Sequence, residues 1–244
     1  MNDSYQKIFE KKNRVMFVFA HPDDAEIYCG GTIVRLVEDK KQVKLIKMTT
    51  GNKGSRDQKI TEKELASIRE KEDAQALQVL GLTSSDCVNL DLGDGAVENN
   101  LKTIELLVKE IRMFKPDLIV THNPEQVLIR ELDGCYYVNH RDHRNTATSV
   151  IDAAYPFSRD TLFFPEQINE GLESHSTLEF LFVDSWGHQD TVCCDITNQA
   201  IKRTEAIACH KSQYSPTAAM GSTDFFAPEK NGKRFEQFRY VVTD

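Results

Sequence analysis

The chain has 244 residues, of which 40% are hydrophobic and 28% are charged. This length and apolar content favour one large α/β domain over two small ones. The 30 basic and 38 acidic residues give a formal net charge of -8. Broad binding to nucleic acids or to anionic membranes is therefore not expected, because either partner would favour a basic face.

The cysteines and the N-terminus indicate the compartment. None of the six cysteines is spaced as C-x-x-C, and the neighbours Cys193 and Cys194 would point to opposite faces of a strand. We therefore expect buried, reduced thiols in a cytoplasmic protein. The N-terminus is polar, the apolar run behind it is too short for a signal peptide, and no apolar stretch is long enough to span a bilayer.

Apolar runs and amphipathic segments alternate along the first half of the chain. Strands are predicted at residues 15–20, 43–50, 87–90 and 116–122, and helices at 61–81, at 99–114 and in a segment that includes 32–40. The helix at 61–81 has the clearest ends. Thr61 and Glu64 have the spacing of a capping box, and Gly81 suits a C-terminal stop.

The second half continues the alternation after an irregular stretch. Residues 123–141 show no clear period, and long irregular connections in compact domains are often functional. A helix is predicted at 143–157, strands at 179–184 and 191–196, and a final helix at 198–214. Over residues 1–244 this pattern predicts a single Rossmann-like α/β domain: a doubly wound, mostly parallel sheet with helices on both faces.

Polar residues follow the predicted strands at their carboxyl ends. Such sheets bind ligands beyond these ends, at the point where the strand order reverses. The segment "HPDD", residues 21–24, follows the first strand, and "NHRDHRN", residues 139–145, lies beyond the fourth. If the first and fourth strands are neighbours, as in the common strand order, these two clusters face each other.

The two facing clusters contain residue types that bind zinc. His21 and Asp24 are three residues apart, so a tight turn stiffened by Pro22 would put both on the same side. His143 would supply a third ligand from the facing cluster. A catalytic zinc keeps three protein ligands and one open position, although a His/Asp/His set also suits other divalent ions.

The remaining members of the clusters suit proton transfer. Asp23 would point away from the metal and take a proton from its water. His140 would lie near the metal, and Asp142 would orient a histidine. The simpler alternative is that both acids cap the following helix, an ordinary role for Asp. The occurrence of both clusters at adjacent strand ends favours a site.

The segments "AHPDDAE" and "CGGT" resemble the opening motif of the LmbE-like, or PIG-L, family of zinc-dependent N-acetylglucosaminyl deacetylases. The segment "HRDHRNT" resembles the second family motif, H-P-D-H, with Arg141 in place of the proline, which we expect to loosen the turn slightly. The similarity continues through "TTGNKGS", "IREKEDAQALQVLGL" and "HKSQY". It therefore spans almost the whole chain in matching order.

The resemblance implies roles for individual residues. The implied zinc ligands are His21, Asp24 and His143. Asp23 would be the general base, and His140, tuned by Asp142, would stabilise the oxyanion or act as an acid. Arg69 and Asp94 match the family's substrate contacts. Arg69 would equally fit a packed helix residue, and Asp94 with Gly95 an ordinary turn.

The resemblance also implies an activity. The protein would remove an N-acetyl group from a sugar-containing small molecule, such as an N-acetylated sugar or glycoconjugate, and release acetate and a free amine. The cofactor would be Zn2+, with another divalent metal as an alternative, and homo-oligomers are common in the family. The rival functions are the same zinc site acting on a different amide, and a sugar- or nucleotide-binding protein without catalysis. A binding protein without catalysis would not need a general base such as Asp23.

Several other residues have less specific signals. His122, at a strand end, would line the pocket or make a structural hydrogen bond. The pair Phe225 and Phe226 is more typical of a core than of a sugar-stacking platform. His188 beside Trp186 is more typical of a surface or packing pair. Residues 123–134 are expected to shape the substrate pocket.

Overall fold

The computed structural model describes residues 1–131 and 134–244. The strands are β1 (Arg14–Phe19), β2 (Gln42–Lys47), β3 (Cys87–Asn89), β4 (Leu118–Thr121), β5 (Leu128–Arg130), β6 (Tyr136–Val138), β7 (Glu179–Phe182), β8 (Thr191–Asp195), β9 (Glu229–Lys230) and β10 (Lys233–Val242). The α-helices are α1 (Tyr5–Phe9), α2 (Asp24–Glu38), α3 (Glu62–Leu80), α4 (Leu101–Phe114), α5 (Arg141–Asp152), α6 (Pro165–Asn169), α7 (Ala200–Cys209) and α8 (Pro216–Phe226). A 3-10 turn spans Ser84–Asp86, and a π-helical turn, Ala153–Phe157, continues α5.

The central sheet has the strand order β3-β2-β1-β4-β7-β10-β8, and β9 pairs with β10. In this sheet the strands β3, β2, β1, β4 and β7 are mutually parallel. The strand β10 runs antiparallel to β7 and β8. The predicted α/β fold with a mostly parallel sheet is confirmed. β1 and β4 are neighbours, so the strand order reverses between them, where such sheets bind ligands.

The central strand β1 explains why helices cover both faces. Its residues from Val15 to Phe19 are all buried, as expected for a parallel strand packed on two sides. Phe17 and Phe19 pack with α2, α3 and α7. Met16 and Val18 pack on the other face with α4 and α5. The alternation of side chains along the strand therefore produces two separate cores.

The helix α3 forms as its sequence predicts. The Thr61 hydroxyl accepts a hydrogen bond from the Glu64 N–H at 3.2 Å, and the Glu64 carboxylate accepts one from the Thr61 N–H at 2.9 Å. Gly81 ends the helix with a φ of 83°, a conformation that glycine adopts at little cost. The capping box and the stop are therefore both confirmed.

The C-terminal part differs from the sequence prediction. The helix expected at 198–214 ends at Cys209, and it is not the final one, because α8, β9 and β10 follow it. β10 inserts between β7 and β8. Its buried Glu236 accepts hydrogen bonds from the N–H groups of Gly31 and Thr32 in α2 at 2.8 Å each, and from Arg203 at 3.0 Å.

The aperiodic segment contains a small antiparallel hairpin, β5 and β6. Residues 132 and 133, part of the segment expected to shape the pocket, lie outside the described residues, and that role stays a prediction. Across the part of the chain that is described, none of the helices has the length and hydrophobicity needed to cross a membrane.

Candidate metal centre and active site

The two polar clusters meet at the reversal of strand order. The loop after β1 carries His21 and leads into α2, and the start of α5 carries His140 and His143. The centroid of the His21 ring lies 4.9 Å from that of the His140 ring and 5.2 Å from that of the His143 ring. The expectation that the two clusters face each other is therefore confirmed.

The donor atoms of the three predicted metal ligands lie close together, with Asp24 facing each histidine through a different carboxylate oxygen. His21 Nδ1 lies 3.2 Å from His143 Nε2 and 3.4 Å from Asp24 Oδ2, and His143 Nε2 lies 3.3 Å from Asp24 Oδ1. Ligands bound tetrahedrally at zinc–nitrogen distances lie about 3.3 to 3.4 Å from each other. The donor separations thus already fit a single small divalent ion.

The far side of His21 is held by carboxylates. His21 Nε2 lies 3.3 Å from Asp94 Oδ1 and 3.6 Å from Asp142 Oδ2. Burial lowers the pKa of His21, but hydrogen bonds to the surrounding carboxylates outweigh it and raise the pKa to about 12. A histidine held by carboxylates through one nitrogen and presenting the other is the usual arrangement of a metal ligand.

Asp24 is buried among histidines. Its ion pairs in the described residues are with His21, His122 and His143. Burial raises its pKa, but the charge of His143 and the hydrogen bonds with His122 and His143 hold that pKa well below its usual range. Asp24 also accepts a hydrogen bond from the His21 N–H at 2.8 Å. This contact fixes the carboxylate beside the donor atoms of the two histidines.

Asp23 occupies the cap position of α2 without capping it. Its side chain makes no capping hydrogen bond, so the capping alternative is wrong for this residue. Instead Arg69 Nη2 donates to Asp23 Oδ1 at 2.9 Å, and Arg69 Nη1 donates to the Gly51 carbonyl at 2.8 Å. Gly51 has a φ of 63°, and a Cβ there would lie 2.3 Å from Arg69 Nη1. A larger residue here would strain the backbone and displace the Arg69 guanidinium from its present contacts.

The two predicted substrate contacts both lie in the site. Arg69 is only 3% exposed and is an ion-pair partner of Asp23. Asp94 accepts a hydrogen bond from the Lys53 N–H at 2.8 Å. Burial raises the pKa of Asp94, but hydrogen bonds with His21 and the Lys53 N–H lower it to about 2. Contact of either residue with a substrate stays a prediction.

His140 is held as a neutral hydrogen-bond donor. It caps α5, and its Nδ1 accepts a hydrogen bond from the Asp142 N–H at 3.1 Å. Burial, and then the charges of His21 and His143, lower the pKa of His140. A neutral ring that accepts at Nδ1 carries its hydrogen on Nε2, which leaves Nε2–H for a substrate oxygen.

The carboxylate of Asp142 faces His21, and its charge also acts on His140. Asp142 is fully buried, and its Oδ2 accepts a hydrogen bond from the Gly95 N–H at 2.7 Å while facing His21 Nε2. Its N–H donates to His140 Nδ1. Asp142 therefore links the second motif to the loop after β3.

Arg141 does not loosen the turn as expected. The helix begins regularly, with a hydrogen bond from the Arg144 N–H to the His140 carbonyl at 3.1 Å. The guanidinium of Arg141 donates to the carbonyls of Gly95 and Val97 at 3.1 and 3.0 Å. Where the family motif has a proline, this chain has a tether to the loop of Asp94.

Two further residues support the site: His122, which makes the structural hydrogen bond that was one of its two expected roles, and Tyr214, which was not assigned from the sequence. The ring of His122 stacks on that of His143 at 3.8 Å and 10°, and its Nε2 accepts a hydrogen bond from the Ala20 N–H at 3.1 Å. Burial lowers its pKa to about 3, so it packs as a neutral ring. Burial and the charges of Asp23 and Asp24 raise the pKa of Tyr214, which lies in the "HKSQY" segment that resembles the family.

Comparison with known proteins gives a consistent result. Residues 16–154 match the family described as PIG-L: GlcNAc-PI de-N-acetylase. This match covers more than half of the chain, so the chain belongs to that family, as its motifs predict.

Individual relatives are similar to this chain over different shares of its length. Diacetylchitobiose deacetylase of Thermococcus kodakarensis is 26% identical over 206 residues, which cover 84% of this chain and 72% of that protein. The 1D-myo-inositol 2-acetamido-2-deoxy-alpha-D-glucopyranoside deacetylase of Segniliparus rotundus is 29% identical, and this chain spans 50% of its length. The solved structure of N,N'-diacetylchitobiose deacetylase from Pyrococcus horikoshii aligns with a TM-score of 0.83 at 25% identity, covering 98% of this chain and 87% of that one.

Proposed function

We propose that this protein is a zinc-dependent hydrolase that removes the acetyl group from an N-acetylglucosaminyl-type sugar. The observation that carries the proposal is the close approach of the His21, Asp24 and His143 donors, with separations of 3.2 to 3.4 Å, beside the ion-paired Asp23. The named relatives support it, because each is a deacetylase of an acetamido sugar by its name.

The proposed metal ligands are His21 through Nδ1, Asp24 through its carboxylate, and His143 through Nε2. When bound, zinc lowers the pKa of a water toward about 7 and polarises the acetyl carbonyl. The donor set is also compatible with another divalent ion.

The protein's own groups would carry the proton transfers. Asp23, oriented by Arg69, accepts a proton from the water as the water oxygen attacks the acetyl carbon. His140 donates a hydrogen bond from its Nε2–H to the carbonyl oxygen as negative charge develops there. Asp142 acts through His21, which it orients.

The C–N bond then breaks as a proton reaches the amine nitrogen. The protonated Asp23 delivers this proton; His140 would do so only from its cationic form, which its lowered pKa disfavours. The acetyl carbon leaves as acetate, and the sugar keeps a free amine. Arg69 and Asp94 would contact the sugar beside the acetamide.

We place this reaction in the cytoplasm. Cys29 and Cys194 support this location, because both are buried free thiols, which persist where disulfides do not form. The partner is a small acetylated sugar or glycoconjugate, and assembly into a homo-oligomer belongs to the same proposal.

Acetate release tests the function directly. The zinc-loaded protein should release acetate from N-acetylglucosamine or from N,N'-diacetylchitobiose, and an Asp23→Asn variant with the same metal content should be nearly inactive. Release from N-acetylated amino acids alone would favour the same site acting on another amide. Sugar binding without any acetate release would favour a binding protein.

A further inference from the structure

The two ends of the aperiodic stretch are tied together at a narrow neck. Asn123 lies just after β4, and Asn139 lies just before the start of α5. Asn139 Nδ2 donates to the carbonyls of Asn123 and Gln126 at 3.1 and 2.9 Å. The Asn139 N–H donates to the Val127 carbonyl at 2.9 Å. One residue therefore closes the neck through both its side chain and its backbone.

Asn123 ties the same neck to a neighbouring strand of the sheet. Its Nδ2 donates to the Asp184 carbonyl at 3.0 Å and to the Ser185 hydroxyl at 3.2 Å. Its Oδ1 accepts hydrogen bonds from the N–H groups of Glu125 and Gln126 at 2.9 and 3.2 Å. Residues 184 and 185 follow the carboxyl end of β7, which is parallel to β4. The neck is thus anchored at the edge of the sheet that carries the metal centre.

We call Asn123 and Asn139 the asparagine clamp. Asn139 is fully buried, and Asn123 is 5% exposed. Among the described residues, Asn139 Oδ1 has no hydrogen-bond partner, which costs free energy because the atom is removed from water. An apolar side chain would fill the same space without that cost. The amide at this position is therefore explained by the two carbonyls to which its Nδ2 donates.

The hairpin beyond the neck cannot fix the entrance to α5 by itself. Its strands β5 and β6 have three residues each, and a two-stranded hairpin of this kind is marginally stable in water. It packs on one face only, because Ile129 is buried whereas Leu128 and Val138 are exposed. The position at which the chain enters α5 therefore depends on the clamp.

His140 is the residue that follows the clamp, and little else holds it. Its side chain is exposed, and among the described residues its ring has one hydrogen bond, from the Asp142 N–H at 3.1 Å. The Arg144 N–H donates to the His140 carbonyl at 3.1 Å, and the Arg144 guanidinium donates to the Asn139 carbonyl. A ring without close packing moves with its backbone, so the location of His140 Nε2–H follows from that of Asn139.

We propose that Asn123 and Asn139 are positioning residues: by closing the neck they hold His140 Nε2–H at the place where the substrate oxygen becomes negative. The proposal rests on the proposed function. A donor to a developing oxyanion works by being fixed in advance, and a small displacement of it lowers the rate. Neither asparagine contacts the substrate or the metal in this arrangement. Loss of the clamp should therefore change kcat, and leave KM and the metal content near their wild-type values.

Turnover of the zinc-loaded protein tests the clamp. Asn139→Ala should lower kcat for deacetylation of N-acetylglucosamine about tenfold, which is part of the roughly hundredfold cost of deleting such a donor. Asn145→Ala is the matched control. Asn145 lies in α5 and its Nδ2 also donates to a backbone carbonyl, that of Val97, at 2.6 Å. Wild-type kcat in folded Asn139→Ala protein, or an equal loss in both variants, would overturn the proposal.

A double-mutant cycle shows whether the clamp acts through His140. In the His140→Ala background, Asn139→Ala should lower kcat no further, because the group that it positions is already gone. A loss by the same factor in both backgrounds would show that Asn139 acts elsewhere, and would overturn the proposal.

A second variant covers the case in which Asn139→Ala does not fold. Asn123→Asp keeps the acceptor for the N–H groups of Glu125 and Gln126 but replaces the Nδ2 that donates to the Asp184 carbonyl. Its kcat should fall by a smaller factor, about threefold, again with unchanged metal content. Wild-type kcat in this variant would overturn the role of Asn123.

A spectroscopic measurement separates the clamp from the proposed function. The nitrogen-15 signals of the His140 ring are identified by their absence from His140→Ala. In the wild type they should report a hydrogen on Nε2, and Asn139→Ala should shift them, whereas Asn145→Ala should not. An active enzyme whose ring signals and kcat are unchanged in Asn139→Ala contradicts the clamp and leaves the proposed function standing. A wild type that releases no acetate, but whose ring signals shift in Asn139→Ala alone, contradicts the proposed function and supports the clamp.

Discussion

Two clusters of acids and histidines lie on opposite sides of the start of α2, and they differ in one residue type. The rim cluster consists of His21, Asp24, Asp94, Asp142 and His143. The inner cluster consists of Glu26, Lys47, Asp73 and His210. Each contains carboxylate and imidazole atoms close enough to hold an ion. Only the inner cluster contains a lysine.

The lysine changes what the inner cluster requires. Lys47 is fully buried and paired with Asp73. Burial lowers the pKa of Lys47, but the charges of Asp73 and Glu26 outweigh this and raise it. Glu26 shows the reverse, because burial raises its pKa and Lys47 holds it low. The inner cluster thus contains its own cation, which balances its acids.

Among the described residues, the centre of the rim cluster has no lysine, and its one arginine ion pair is the long contact of 3.9 Å between Arg141 Nη1 and Asp142 Oδ1. In the described part of the chain, Asp24 is paired only with histidines, and the nearby Arg69 is paired with Asp23. Closely packed carboxylates beside imidazole nitrogens favour a divalent ion. A group of acids and histidines therefore indicates a metal site most strongly when no lysine or arginine neutralises it.

The largest expected effect is the loss of metal from the rim cluster. His21→Ala or His143→Ala should remove most of the bound metal and nearly all activity, because each deletes one of three proposed ligands. Metal analysis of the purified, folded variants measures this. His210→Ala, in the inner cluster, is the control and should keep the wild-type metal content. A full metal complement in either ligand variant would refute the assignment.

Removing the inner cation should cost stability instead of metal. Lys47→Met leaves Glu26 and Asp73 as uncompensated buried acids, and we expect a loss of about 3 to 5 kcal/mol in the free energy of unfolding. Denaturant titration measures it, and adding Asp73→Asn should recover part of the loss. Metal content per folded protein should not change. If Lys47→Met destabilised the protein no more than Lys44→Met, at a half-buried position near the start of the same strand, the comparison would fail.

Asp23 and Asp24 should separate catalysis from metal binding within the rim cluster. Asp23→Asn should keep the metal, lower turnover by roughly a hundredfold or more, and remove the acidic limb of the pH profile, because the general base is lost. Asp24→Asn should lose metal, since a neutral amide is a poorer ligand. Metal content and turnover are measured on both proteins. An active, metal-loaded Asp23→Asn enzyme would leave the mechanism without its base.

The smallest expected effect concerns Arg141. Arg141→Ala removes the hydrogen bonds to the Gly95 and Val97 carbonyls, and we expect a loss of about 1 kcal/mol of stability with unchanged metal content. Thermal unfolding measures it. Arg159→Ala, which removes an exposed ion pair with the adjacent Asp160, is the control and should be nearly neutral. Equal melting temperatures for both variants would show that the tether is dispensable.

Features set by neighbouring residues were predictable from the sequence. The capping box of Thr61 and Glu64 and the stop at Gly81 depend on contacts within one turn. The polar clusters at the strand ends can be recognised directly in the sequence. The meeting of His21 with His143 required one further rule, the common order of strands in such sheets. That rule held because β1 and β4 pair.

Features set by distant contacts were not predictable. Lys47 reads as an ordinary polar residue in a strand, because its partners Glu26 and Asp73 come from two different helices. The contact of the Asp142 carboxylate with His21 depends on how α5 approaches the first loop. The expectation that Phe225 belongs to the core is wrong, because it is 41% exposed. Its ring lies 5.6 Å from that of Trp186, and only the packing of α8 beside the loop after β7 brings these two residues together.

The position of β10 imposes an order on the making of the protein. Among the described strands, β8 pairs with β10 alone, yet it leaves the ribosome first, since synthesis runs from the N-terminus. The segment that carries Asp23 and Asp24 is made earlier still, and its helix contacts Glu236 in β10 through Gly31 and Thr32. The segment that carries Asp23 and Asp24 is thus translated well before β10 and receives this support only when that strand arrives.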